Sequence, residues 1–161
     1  MCKRRILPIY AKSRDAIVGV EVAEAFKTNK DPAANDPLRA EGRVSLRFFN
    51  CGMSKETQIL TMLEPWEAFD LFLKMYEVAR AEKSTELKLA PHKYIKAGEE
   101  IMTTVSVEKW VKENRSGYAL KAVRKGQSHS ISMDKAHFLH AAEFLKFLST
   151  IQSYQDVAIG G

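Results

Sequence analysis

Val105-Ser106-Val107-Glu108-Lys109-Trp110-Val111-Lys112 lies inside residues 101–113 (IMTTVSVEKWVKE), a long run rich in β-branched residues. Such a run, with apolar and polar residues partly alternating, predicts a β-strand. A similar stretch stands earlier, Val20-Glu21-Val22-Ala23-Glu24-Ala25-Phe26-Lys27 within residues 16–28, so residue 105 follows residue 20 at an offset of 85. Self-similarity at one spacing marks an internal repeat, and a repeat decides the fold before any single motif does.

Working outward in the first copy, residues 6–12 (ILPIYAK) form a short apolar strand, and residues 29–38 (NKDPAANDPL) form a long surface loop. Residues 43–50 (RVSLRFFN) alternate, with Arg43, Ser45 and Arg47 on one face and Val44, Leu46 and Phe48 on the other. Cys51 to Lys55 supply a turn, and residues 57–63 (TQILTML) a fourth strand. Glu64-Pro65 opens a helix, because proline suits a first helical turn. Trp66, Phe69, Leu73 and Tyr76 follow at helical spacing as the expected core stripe, widened by Phe72 and Ala79. This helix is apolar over more than one face, which predicts packing between the sheets or against a second subunit.

The second copy repeats the plan. Residues 85–95 (TELKLAPHKYI) are a strand broken by Pro91 and hence an edge, followed by the long strand at 101–113 and a turn at Asn114-Arg115-Ser116-Gly117. Residues 118–125 (YALKAVRK) and 128–133 (SHSISM) flank a turn at Gly126-Gln127. Asp134 is the N-cap of a helix ending near Gln152, with Phe138, Ala142, Leu145 and Leu148 as its stripe. Phe69 and Ala79 match Phe138 and Leu148 at an offset of 69, smaller than 85 if the loop at 29–38 is an insertion in the first copy. The expectation is an α+β domain of two pseudo-repeated β-β-β-β-α units, residues 5–82 and 83–152, with antiparallel sheets packed with two helices and a tail at 153–161.

Composition excludes several classes. The chain has 161 residues, 45% hydrophobic and 28% charged, which is enough to bury a core without disulfide or metal staples. No apolar run approaches the roughly 20 residues of a membrane span. Met1 to Pro8 is basic without a following apolar segment, so it does not read as a secretory signal. Cys2 and Cys51 then read as free thiols in a reducing, cytoplasmic setting, which nucleoid association would also satisfy. There is no Gly-rich phosphate loop, no G-x-S-x-G elbow and no H-E-x-x-H. His137 and His140 stand at i, i+3 without a third ligand of suitable spacing; His92 and His129 are isolated, and Cys51 has no recognisable base. No enzyme, metal or cofactor is expected.

The duplicated pattern resembles the Whirly-fold group of single-stranded nucleic-acid-binding proteins, which includes the plant Whirly proteins, Pur-alpha and the positive-cofactor-four coactivators. The local likeness is strongest in the second copy. There a strand ending in Trp110 is followed by a basic hairpin at 121–126, a Ser/Ile strand, and a helix entered at Ser132-Met133-Asp134. The resemblance implies binding of single-stranded DNA or RNA in transcription, replication, recombination or repair.

A physical argument stands beside it. A single helix cannot cover both faces of a sheet, so one face of each stays open, where cations neutralise phosphates and aromatic rings stack on unpaired bases. The candidates are Lys27, Arg43 and Arg47 in the first copy, with Phe49 continuing the arginine face, and Lys109, Trp110, Lys112, Tyr118, Lys121, Arg124 and Lys125 in the second. Of the two lysines flanking Trp110, Lys112 shares its strand face. The net charge is +5; residues 1–82 hold 13 basic and 12 acidic side chains and residues 83–161 hold 12 and 8, which favours the second copy as the main contact. Blander readings stay open: Arg43 and Arg47 as a solvated face, Trp110 as core or interface, Phe49 as a buried strand end. The alternative function is a protein-interaction or assembly module using the apolar helix surfaces. Those surfaces also predict a homo-oligomer.

Overall fold

In a computed structural model, residues 4–12, 17–28, 40–51 and 57–153 are described. The expected loop at 29–38, the turn at 52–55, residues 154–161, Cys2 and the side chain of Cys51 lie outside the described residues. The chain is α+β, with two antiparallel sheets and two helices. Strands β1 (Ile6–Lys12), β2 (Ile17–Thr28), β3 (Ala40–Cys51) and β4 (Ile59–Leu63) form a meander and lead into α1 (Pro65–Arg80). The second sheet contains β5 (Thr85–Lys88), β6 (His92–Lys96), β7 (Glu99–Lys112), β8 (Arg115–Arg124) and β9 (Gln127–Met133), followed by α2 (Lys135–Ser153).

The second sheet thus has five strands where four were expected. Pro91 cannot donate to a ladder, so the edge strand splits into β5 and β6. Both halves pair with β7, Lys88 opposite Ser106 and His92 opposite Thr103. The hairpin turns also differ from expectation: the one expected at Gly126-Gln127 lies one residue earlier, at Lys125-Gly126, because Gln127 already pairs with Arg124. Ala97-Gly98 and Lys125-Gly126 take positive φ at both residues, 52° and 77° in one and 48° and 74° in the other. That is the type I′ signature, whose twist matches the flanking strands. Between β7 and β8, Lys112 already faces Arg115, so the turn holds Glu113 and Asn114 and not the expected 114–117.

The strand periodicity sorts the side chains as anticipated. Val20 and Val22, Val44, Leu46 and Phe48, Val105 and Val107, and Leu120 and Ala122 all face one continuous core. Each such valine, leucine or phenylalanine contributes about 1.5–3 kcal/mol by leaving water. Alternation therefore turns Arg43, Ser45, Arg47 and Phe49 outward on β3, and Ser106, Glu108, Trp110 and Lys112 outward on β7.

The α2 stripe Phe138, Ala142, Leu145 and Leu148 is buried as expected, whereas α1 departs from expectation. α1 buries Ala68, Leu71, Met75 and Val78, and α2 buries Phe138, Ala141, Leu145 and Leu148. These sets match at an offset of 70, not 69. One residue of slip turns a helix by about 100°. The stripe expected on α1 therefore faces outward: Trp66, Phe69 and Leu73 are 62%, 40% and 50% exposed, while Phe72 and Tyr76 lie at the core's border. A helix apolar on more than one side does not reveal its phase by period alone.

α1 packs mainly on the second sheet, at β7, and α2 mainly on the first, at β2 and β3, so each helix covers the sheet of the other copy. The start of α1 is fixed by its own residues: Glu64 N–H donates to Glu67 Oε1 at 3.0 Å, and His92 Nε2 meets Glu67 Oε2 at 2.5 Å, tying β6 to the helix. At the end of α2, Gln152 Nε2 donates to the carbonyls of Ala25 and Arg43 at 2.9 and 3.0 Å. A Cβ at Gly42 would fall 2.2 Å from the Gln152 carbonyl oxygen, so only glycine admits this approach. Tyr76 O–H donates to Glu143 at 2.6 Å across the helix pair, and that bond chiefly holds the phenol above its ordinary range. Among the described residues, no helix is long and apolar enough to cross a membrane.

Candidate nucleic-acid interface

The open face of the second sheet is organised around Trp110. Register places it opposite Gly117, and a Cβ there would lie 2.3 to 2.8 Å from indole Cζ2, Cε2 and Nε1. The ring therefore lies across the glycine, half-buried, and its Nε1 is enclosed without a hydrogen-bond partner. Around it opens a depression of about 920 Å³ lined by Glu108, Trp110, Lys112, Glu113, Arg115 and Ser132.

The rim is electrostatically unfinished. Lys112 and Arg115 face one another across the hairpin, both exposed, and neither makes an ion pair among the described residues. Like charges directly opposite on neighbouring strands destabilise a hairpin. Glu108 and Glu113 line the same depression but pair with neither cation, so an arriving anion is still drawn to them. An indole face beside two free cations suits a planar aromatic group that carries phosphate.

The other candidates are dispersed. On the first sheet, Arg47 Nη2 and Nε donate to Glu21 at 2.6 and 3.0 Å, Nη1 donates to Gln58 at 3.1 Å, and the guanidinium lies 4.9 Å from the Phe49 ring centre. Arg43 donates to Glu41 at 2.8 Å and to the Gly42 carbonyl at 3.0 Å. Lys27 is exposed at the far end of β2, without an ion pair among the described residues. On the second sheet, Lys121 lies 3.2 Å from Glu108 and 3.8 Å from Glu86. Lys125 meets Glu99 at 2.9 Å on the β8–β9 turn. Arg124 donates to Thr103 Oγ1 at 2.7 Å and to the Leu60 carbonyl, which stitches the sheets together.

Three candidates, Arg124 opposite buried Thr103 among them, stand on the wrong face for this depression. Tyr118 is 6% exposed and stacks on Phe138 in the core at 5.0 Å. Lys109, opposite it, donates to the Ala81 carbonyl at the end of α1. With the turn only two residues long, Arg115 and Gly117 take the outer face and Tyr118 the inner one. Trp110 and Lys112 are thus the candidates gathered at the depression, with Lys121 beside its Glu108 wall. Arg115 falls within the turn expected at 114–117, and Tyr10, 59% exposed on β1, carries no signal in the sequence beyond its place in a short apolar strand. Arg115 becomes visible once the turn shrinks to Glu113-Asn114.

Among the described residues, no group of three or more His, Cys, Asp or Glu is arranged to hold a metal. His137 is engaged at the start of α2: its backbone N–H donates to Asp134 Oδ1 at 2.8 Å and its Nδ1 lies 2.7 Å from the same oxygen. These contacts hold the Asp134 carboxyl below its ordinary range, the backbone hydrogen bond being the largest cause.

Two antiparallel sheets, each covered on one face by a helix and open on the other, define a Whirly-like fold. The chain is similar to WHY1 from Arabidopsis thaliana over 92% of its own length and 85% of that chain, with 13% identity and a TM-score of 0.59. It is similar also to the plant transcriptional regulator PBF-2, over 92% of its length and 82% of that chain, with 17% identity and a TM-score of 0.54. No protein-family model and no curated protein sequence matches it.

Proposed function

We propose that the chain is a non-enzymatic, single-stranded DNA- or RNA-binding protein whose principal contact is the Trp110 depression. The observation that carries this reading is the pair Lys112 and Arg115, without an ion pair among the described residues and lining one depression with an indole laid across Gly117. In a duplex the base faces are stacked on one another. An unpaired base instead exchanges its neighbour for the indole while the two cations displace counterions from its phosphates. Such contacts read no base edge, so sequence preference is weak. The likeness to a plant transcriptional regulator is compatible with service in transcription, replication or repair, in a cytoplasmic or nucleoid setting.

The exposed row Trp66, Phe69 and Leu73 supports a homo-oligomer as part of the same reading. By itself it would also suit an assembly module without a nucleic-acid ligand.

Fluorescence anisotropy with a labelled single strand and its duplex, each at low and moderate salt, tests the proposal. The expected result is a preference for the single strand, with affinity falling as salt rises by a log–log slope of about −0.7 per neutralised phosphate. No binding to either at low salt overturns it, and the α1 surface then becomes the place to seek a partner.

A further inference from the structure

A second depression, about 420 Å³, lies where the two sheets meet, lined by Pro8, Ile9 and Tyr10 of β1 and by Ser132, Met133, Asp134 and His137 at the end of β9 and the start of α2. It shares Ser132 with the Trp110 depression, so the two hollows are neighbours across one exposed hydroxyl. The aromatic group at the far end is Tyr10. Its ring stands edge-on to Phe49, centres 5.8 Å apart at 73°.

Phe49 in turn covers Gly19, where a Cβ would fall 2.5 Å from the ring's Cζ, and Tyr10, Gly19 and Phe49 form one row across β1, β2 and β3. The first sheet therefore uses the device seen in the second, an aromatic ring laid over a cross-strand glycine. Here the covering ring is closed off, 6% exposed, and the ring it supports is the open one. The carboxylate at the seam, Asp134, is engaged by His137, so a strand crossing there meets the Ser132 hydroxyl and a carboxylate already accepting hydrogen bonds.

We infer that Tyr10 is a second stacking subsite, and that a single strand bound at Trp110 continues over Ser132 onto the first sheet. This rests on the single-strand reading above and adds the path of the ligand. The path predicts a dependence on oligonucleotide length. A strand of about 4 nucleotides reaches one ring, whereas one of about 16 reaches both.

The test is titration of the full chain carrying Trp66→Phe, so that Trp110 alone reports, with oligonucleotides of both lengths and with Tyr10→Ala, Tyr10→Phe and Trp110→Ala followed by anisotropy. Tyr10→Ala is expected to weaken the long strand roughly 5- to 100-fold and to leave the short one within about twofold, while Tyr10→Phe keeps both. Tyr10 is exposed, so its removal leaves the core intact, which circular dichroism checks. If Tyr10→Ala leaves the long strand unchanged while Trp110→Ala weakens it, the inference fails and the single-strand reading stands. Equal losses for both lengths, or a Phe variant as impaired as Ala, also overturn the inference. Binding that survives both Trp110→Ala and Tyr10→Ala overturns the placement of the interface itself.

Discussion

The two open sheet faces are built on one plan and finished differently. On the first, Arg43 is neutralised by Glu41 at 2.8 Å and Arg47 by Glu21 at 2.6 Å, while Arg4 reaches only the Ser45 hydroxyl. On the second, the hairpin cations Lys112 and Arg115 make no ion pair among the described residues, and the ring beside them is half-open where Phe49 is closed. A duplicated architecture can therefore keep its core while one copy turns its surface charges inward and the other leaves them for a ligand. What separates the two faces is not the number of basic residues but whether those beside the covering ring are paired, as Arg47 is at Phe49 and Lys112 is not at Trp110.

The largest effect expected from this contrast is at Trp110. Trp110→Ala removes the stacking platform and weakens single-strand binding roughly 5- to 100-fold, about 1–3 kcal/mol. Its structural counterpart, Phe49→Ala, destabilises the first sheet while leaving affinity for short strands unchanged. Should anisotropy show equal losses from the two substitutions, the faces are not functionally distinct.

Next in size is the charge pair. Lys112→Ala with Arg115→Ala removes the two free cations, lowering affinity about tenfold at low salt and reducing the salt slope by about 1.4, twice the single-strand value per phosphate. The loss should be nearly uniform across sequences. A slope that does not move would show that these side chains touch no phosphate.

Arg47→Ala is expected to act on stability instead. The pair with Glu21 is bidentate and partly exposed, worth about 0.5–1 kcal/mol, and its loss should lower the denaturation midpoint without changing the salt slope of binding. Reduced nucleic-acid affinity in this variant would move the arginine face of the first sheet back into the interface.

The parts of this contrast that were legible in the sequence follow from local period. Alternation along residues 43–50 and 105–112 turned Arg43 and Arg47 outward together and put Trp110 with Lys112 on one face, because side chains on a strand alternate whatever they pack against. The face of Tyr118 follows from parity as well, since a turn at 114–117 and the observed one at Glu113-Asn114 differ by two residues and both set Tyr118 off the face of Trp110; the place of Arg115 on the strand depended on the length of the turn. The phase of α1 was not legible either. Trp66, Phe69 and Leu73 make as regular an apolar row as Ala68, Leu71, Met75 and Val78, and only the position of α2 and the sheets chooses between them. Ion-pair partners such as Glu21 for Arg47 lie on neighbouring strands and became visible with the register.

The smallest expected effect is at Glu113, and it tests the electrostatic account most directly. This residue sits in the turn between β7 and β8 at a φ of 51°, lines the Trp110 depression, and makes no ion pair among the described residues. Its carboxylate opposes any phosphate drawn to Lys112 and Arg115. Screening over about 10 Å at 0.1 M salt keeps that opposition modest. Glu113→Gln preserves side-chain length and carries the same backbone strain, so the turn should hold its shape while one negative charge leaves the rim. Single-strand affinity is then expected to rise roughly twofold at low salt and to converge with the parent protein at high salt, as the remaining field is screened. A fall in affinity would mean that the carboxylate accepts hydrogen bonds from a bound base, and that the second face recognises more than a phosphate and a ring.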